Sequence, residues 1–151
     1  MEMPSSESSA VPDAALTCFL VEDSAVIREN LTATLEDMVG VNIVGFAEDE
    51  YTALQWLRSS DRHCDLMIVD IFLKQGTGLT VLAQAKVLQP SLKLIVLTNF
   101  ATADMRSRCM HLGAERVFDK STEIEELLMY CQAMYGQEHG RGQGHGQGSA
   151  G

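Results

Sequence analysis

Five short apolar runs punctuate the chain: LTCFLVE (16–22), VNIVGFA (41–47), DLMIVD (65–70), LKLIVLT (92–98) and RVF (116–118). Each is mostly continuous rather than alternating, the pattern of parallel strands covered on both faces. Between them the apolar positions take a helical period. Ile27, Leu31, Thr34, Leu35 and Met38 trace one face of a first helix, and Ala53, Leu54 and Leu57 mark a second. Gly78, Val81, Leu82, Ala85 and Leu88 line a third, stopped by Pro90. Ile124, Leu127, Leu128, Cys131 and Met134 line a last one, with Thr122 and Glu125 spaced as a capping box. The stretch 102–112 carries only a thin stripe, Met105, Cys109 and Leu112, among Arg106, Ser107 and Arg108, so its helix is expected to be the most loosely held. Strands alternating with helices in this way form a (βα)5 pattern. It predicts an α/β doubly wound five-stranded parallel sheet with helices on both faces. Periodicity alone leaves the strand order open.

The ends of the chain have little to bury. Residues 1–14, MEMPSSESSAVPDA, are acidic and Ser/Pro-rich, and 136–151 are glycine-rich without a large apolar side chain. Both are expected to be disordered, flanking one folded domain at 15–135. His139 and His145, in the glycine-rich tail, read as solvated residues rather than a metal tract. The net charge of −10, from 21 acids against 11 bases, argues against a nucleic-acid partner and against an anionic membrane surface. No apolar stretch reaches the ~18 residues of a membrane span, and the N-terminus has no apolar signal core, so a cytoplasmic location is the simplest expectation. Cys18, Cys64, Cys109 and Cys131 are scattered with no C-x-x-C pair, which predicts free thiols, mostly buried.

One acid interrupts the best strand. In LMIVDIFL (66–73) every residue but Asp70 is apolar, and a buried carboxylate without a partner is costly. The sheet predicted above resolves this, because its ligands gather at the carboxyl ends of the strands. Those ends carry Glu22 and Asp23, Asp70, Thr98 and, just past the fifth strand, Lys120. Three converging carboxylates repel and raise one another's pKa. A hard divalent cation such as Mg²⁺, which takes oxygen ligands and is commonly shared between carboxylates and a phosphate, relieves that repulsion. Lys120 adds a positive charge for carboxylate or phosphoryl oxygens, and Thr98 a hydroxyl donor.

Together, VEDS (21–24), MIVDIFL (67–73), IVLTN (95–99) and VFDKS (117–121) resemble the receiver domain of bacterial two-component response regulators, over nearly all of 16–135. The resemblance implies the flavodoxin-like receiver fold with strand order 2-1-3-4-5. It implies that Asp70 takes a phosphoryl group from a sensor histidine kinase or a histidine phosphotransfer protein. Glu22, Asp23, Asp70 and the backbone carbonyl of Phe72 would hold Mg²⁺, Lys120 would pair with the acyl phosphate, and Thr98 would close on it. No other cofactor is implied. The chain would signal to a downstream protein target rather than turn over a substrate. No output segment is recognisable after the last helix, so a single-domain regulator is expected.

Some positions depart from the common receiver pattern. Lys74 stands where a proline usual in the family would stiffen the phosphoacceptor loop. Val117 takes the place of the switch Tyr or Phe, and Phe118 should face the opposite side of its strand. Thr98 and the 102–112 helix are therefore expected to carry most of any conformational change. Phe72 and Phe100, two residues beyond Asp70 and Thr98, are expected to exclude water from an aspartyl phosphate, with Asn99 and Val117 as further modulating positions. Two alternatives remain open at this stage: an interaction module of the same fold that never takes phosphate, and a flavodoxin-like cofactor binder. The latter wants a phosphate loop after strand one, where this chain has Glu22 and Asp23, and GTG (76–78) falls short of G-x-G-x-x-G.

Overall fold

The computed structural model describes residues 16–59 and 61–134. The expected disordered segments 1–14 and 136–151 lie outside the described residues. Five strands, β1 (Thr17–Val21), β2 (Asn42–Ala47), β3 (Leu66–Val69), β4 (Lys93–Thr98) and β5 (Arg116–Asp119), form one parallel sheet in the order β2-β1-β3-β4-β5. Between them lie α1 (Ala25–Thr34), α2 (Glu50–Arg58), α3 (Gly78–Leu88) and α4 (Ala103–His111), and α5 (124–134) follows β5. The fold class and the strand order are as expected.

The central strands are buried on both faces, as their unbroken apolar runs require. Phe19, Val21, Met67, Val69, Leu94, Val96 and Val117 face α2, α3 and α4, packing with Leu54, Leu57, Val81, Leu82 and Cys109. Cys18, Leu20, Ile68, Ile95, Leu97 and Phe118 face α1 and α5, packing with Leu31, Leu35, Leu127, Cys131 and Met134. Each large side chain fully removed from water in these two layers contributes about 1.5–3 kcal/mol. Val117 and Phe118 fall in opposite layers, as strand alternation demands. Only Cys109 of α4 is buried, so that helix has the thin hold its sequence predicted.

At the edge, the pairing slips: Cys18 lies opposite Ile43 but Phe19 opposite Gly45, so Val44 is an extra residue in β2. Gly45 is needed there, since a Cβ would come within 3.0 Å of the Phe19 ring, which stacks on Trp56 of α2 at 4.2 Å between centroids.

Two sequence expectations require correction. Met38 and Ile27 do not belong to the buried face of α1; they are 65% and 37% exposed, whereas Arg28, Leu31, Leu35 and Val39 are buried. After Thr34 the helix widens into a π-helical turn, Leu35–Val39, before Gly40 ends it at φ 79°. The wider turn carries Val39 inward and leaves Met38 in solvent. Nor does Thr122 form a capping box with Glu125. The side chain of Asp119 accepts from the amides of Ser121 (2.7 Å) and Thr122 (3.2 Å), and the Glu123 carboxylate reaches back to the amide of Asp119 (2.8 Å).

Candidate functional site

The carboxyl edge of the sheet is built by strand ends and by helix starts that cap themselves. Ser24 Oγ accepts from the amide of Ile27, Asp49 Oδ1 from Thr52, Thr77 Oγ1 from Leu79 and Thr102 Oγ1 from Met105. Ser24 is thus structural. Glu22 and Asp70 directly follow β1 and β3, and Asp70 is only 6% exposed. One carboxylate oxygen from each of Glu22, Asp23 and Asp70 lies within 4.8 Å of the others. Lys120 reaches between them, its Nζ 2.7 Å from Glu22 Oε1 and 2.9 Å from Asp70 Oδ2. Its amide donates to the Thr98 carbonyl at 2.9 Å, which sets the end of β5 against the end of β4.

The electrostatics follow from crowding in a half-dry pocket. Burial pushes the carboxyls of Glu22 and Asp70 above their ordinary range, and the Lys120 ammonium only partly offsets this. Burial works to lower the Lys120 pKa, but its bonds to Glu22 and Asp70 outweigh it and raise the value. A raised carboxyl value means that the folded protein holds the proton more tightly than the unfolded chain does. The favourable contribution is therefore present at acid pH and lost as pH rises through the folded value; at neutral pH both acids tax the fold. The Lys120 contribution is present at neutral pH and lost only in strong alkali.

An all-oxygen donor set with an excess of negative charge fits a divalent cation. Because such a cation binds only the folded state, Mg²⁺ at tenfold its dissociation constant should add about 1.4 kcal/mol of stability. A thermal melt should therefore rise by several degrees on adding Mg²⁺, and an unchanged melt up to tens of millimolar would contradict the assignment.

The remaining expected residues surround this cluster. Thr98 is fully buried, and its Oγ1 accepts from the amide of Phe100 at 3.2 Å. The amide of Phe72 donates to Asp70 Oδ1 at 3.4 Å. The rings of Phe72 and Phe100 meet edge to face with centroids 4.8 Å apart, and both are about half exposed. Asn99 Oδ1 lies 3.4 Å from Ser121 Oγ, while Val117 is buried below and not at the site. The cysteines take no part: burial raises all four thiol values, Cys64 and Cys131 up to about 12.

Sequence reasoning missed Arg28. Its buried guanidinium donates to the Glu22 carbonyl at 2.9 Å and to Glu48 at 3.3 Å, and covers the Phe46 ring at 4.0 Å. The available signal was an arginine at helical spacing from Leu31 and Leu35. It holds the backbone from which Glu22 projects.

Residues 18–132 match the response regulator receiver domain family, and the chain belongs to that family. It is 34% identical over 115 residues to a putative transcriptional regulator of Pseudomonas aeruginosa, covering 76% of this chain and 54% of that protein. It is 31% identical over 115 residues to a protein-glutamate methylesterase/protein-glutamine glutaminase of Paramagnetospirillum magneticum, covering 75% of this chain and 30% of that one. The chain thus spans about half or less of these relatives' lengths. In fold it is similar to a response regulator protein from Burkholderia pseudomallei solved with a phosphorylated aspartic acid and a calcium ion, with a TM-score of 0.68, 22% identity, and coverage of 83% of this chain and 72% of that one. Among the described residues no helix is long and apolar enough to cross a membrane. Membership in the receiver family removes the flavodoxin-like cofactor binder from consideration.

Proposed function

We propose that this chain is a phosphoacceptor of two-component signalling, taking a phosphoryl group on Asp70 from the phosphohistidine of a sensor histidine kinase or a histidine phosphotransfer protein in the cytoplasm. The observation that carries this reading is the junction of Lys120 with both Glu22 and Asp70, beside Asp23, at one sheet edge. A carboxylate oxygen of Asp70 attacks phosphorus, the P–N bond breaks, and the imidazole leaves with the electron pair. Lys120 holds the attacking carboxylate in place and then pairs with a phosphoryl oxygen. Glu22, Asp23, Asp70 and the Phe72 carbonyl would hold Mg²⁺, which when bound supplies positive charge to the phosphoryl oxygens. Thr98 gives up its own-loop contact and donates its hydroxyl to the phosphoryl group, which shifts a two-state equilibrium.

The output is a phosphorylation-dependent contact with a protein target, or relay of the phosphoryl group, with α4 and α5 as the docking face. The acidic charge of the chain disfavours direct DNA contact by the receiver itself. The similarity to a putative transcriptional regulator nevertheless leaves a route to nucleic acid through an adjoining domain. The receiver itself is read as a phosphoacceptor and not as an enzyme of substrate turnover; the match to the methylesterase relative covers only 30% of that protein. The test is intact mass after incubation with acetyl phosphate: one added phosphoryl group with Mg²⁺ and none with a chelator supports the reading, and no addition in either case overturns it.

The aromatic pair sets the lifetime of the product. Phe72 and Phe100 close over the path of attacking water, so Phe72→Asn combined with Phe100→Glu should shorten the aspartyl phosphate half-life about tenfold, a barrier change of about 1.4 kcal/mol. An unchanged decay of the phosphorylated mass would remove that role.

A further inference from the structure

Arg106 in α4 has none of the roles assigned above, yet it makes three side-chain bonds to three different segments. Its Nε donates to the Ala101 carbonyl at 3.0 Å, its Nη1 to the Val117 carbonyl at 2.7 Å, and its Nη2 to Glu123 Oε1 at 3.0 Å. The same Glu123 oxygen accepts from the amide of Asp119 at 2.8 Å. The planar guanidinium fork, with donors on three separate nitrogens, suits acceptors spread over three segments. Ala101 lies three residues after Thr98, and Val117 three residues before Lys120. From the outer surface, one side chain therefore ties the loop that carries Thr98 to the strand that presents Lys120.

The tie has a direction. Thr98 Oγ1 is engaged with the Phe100 amide, and the loop is anchored at Ala101. Thr98 and Ala101 belong to one short loop, so a shift of Thr98 onto a phosphoryl group would act against the bond that Arg106 Nε makes to the Ala101 carbonyl. We propose that Arg106 is a positioning residue that holds the 99–101 loop in its unphosphorylated place and thereby weakens the site's affinity for a phosphoryl group. The inference rests on the reading of Asp70 as phosphoacceptor. Coupling of this kind is reciprocal: a protein that pulls Arg106 or Glu123 out of the clamp favours phosphorylation by the same factor by which phosphorylation favours it.

The experiment titrates the full chain with beryllofluoride and Mg²⁺, a phosphoryl stand-in on the carboxylate, and follows loop amides by NMR. Arg106→Gln should bind beryllofluoride about fivefold more tightly than wild type, although it melts lower, and amide exchange at 99–101 should quicken before any is added. Arg106→Lys, with one donor head in place of the fork, should fall between the two. Glu123→Gln leaves both carbonyl bonds and should shift affinity the same way by less, which keeps the test available if Arg106→Gln folds poorly. A merely structural arginine predicts lower melting with equal or weaker binding, and that result in these variants overturns the proposal while leaving the phosphoacceptor intact. If the wild type fails to bind beryllofluoride, the phosphoacceptor reading falls first and this inference with it.

Discussion

Asp70→Asn is expected to abolish phosphoryl incorporation from acetyl phosphate while the protein stays folded. The amide offers no anionic oxygen to attack phosphorus, and loss of a nucleophile of this kind costs at least about a thousandfold in rate. Intact mass with Mg²⁺ present should show no added phosphoryl group over an interval that saturates the wild type. The fold should survive because Asp70 is a burden at neutral pH, its carboxyl pushed up by burial despite Lys120 at 2.9 Å. Lys120 keeps Glu22 at 2.7 Å, so no buried charge is orphaned. The melting temperature without metal should therefore hold or rise, and the rise on adding Mg²⁺ should shrink, since one of three clustered carboxylates is gone. Phosphoryl uptake by the variant would move the acceptor to another side chain and break the reading.

The parts of this arrangement that were legible beforehand share a physical property: they are local. A continuous apolar run such as LMIV (66–69) declares a strand covered on both faces, and the residue that follows it must emerge at the sheet's carboxyl edge. Asp70, Thr98 and the Glu22–Asp23 pair could be placed by that rule without knowing any contact. The π-helical turn at Leu35–Val39 could not, because nothing in LEDMV distinguishes a wide turn from an α-helical one until Val39 must meet the sheet. Arg106 was illegible for a related reason, and Arg28 showed only through its helical spacing from Leu31 and Leu35. A guanidinium is usually solvated, and what holds these two is backbone carbonyls in the loops and strand beside their helices, Glu22, Ala101 and Val117, which no apolar pattern marks. Phe72 and Phe100 could be assigned to the neighbourhood of the acids by position, but their edge-to-face contact depends on how two loops meet. Charge and hydrophobicity patterns thus revealed which residues gather, whereas the bonds that restrain the gathering are tertiary.

Gly78→Ala should be a severely disruptive single-methyl change near the site. Gly78 opens α3, and its amide donates to the Ile71 carbonyl at 2.8 Å, folding the phosphoacceptor loop back under Asp70. A Cβ at this position would land on the Asp70 carbonyl oxygen and lie 2.8 Å from the Ile71 Cα. These are backbone atoms, so no rotamer change relieves the overlap and the loop itself must move. Overpacking of this kind costs about 1–3 kcal/mol. A displacement of roughly 1 Å in the nucleophile can lower the transfer rate about a hundredfold. Gly40→Ala separates the two effects. Gly40 sits at φ 79° with open space around its would-be Cβ, so alanine there strains the backbone by about 1–2 kcal/mol without touching the site. Thermal melts should thus report comparable losses for the two variants, while phosphoryl incorporation from acetyl phosphate should collapse only in Gly78→Ala. Equal rates in both would mean that the close packing of α3 against the Asp70 backbone does not position the nucleophile.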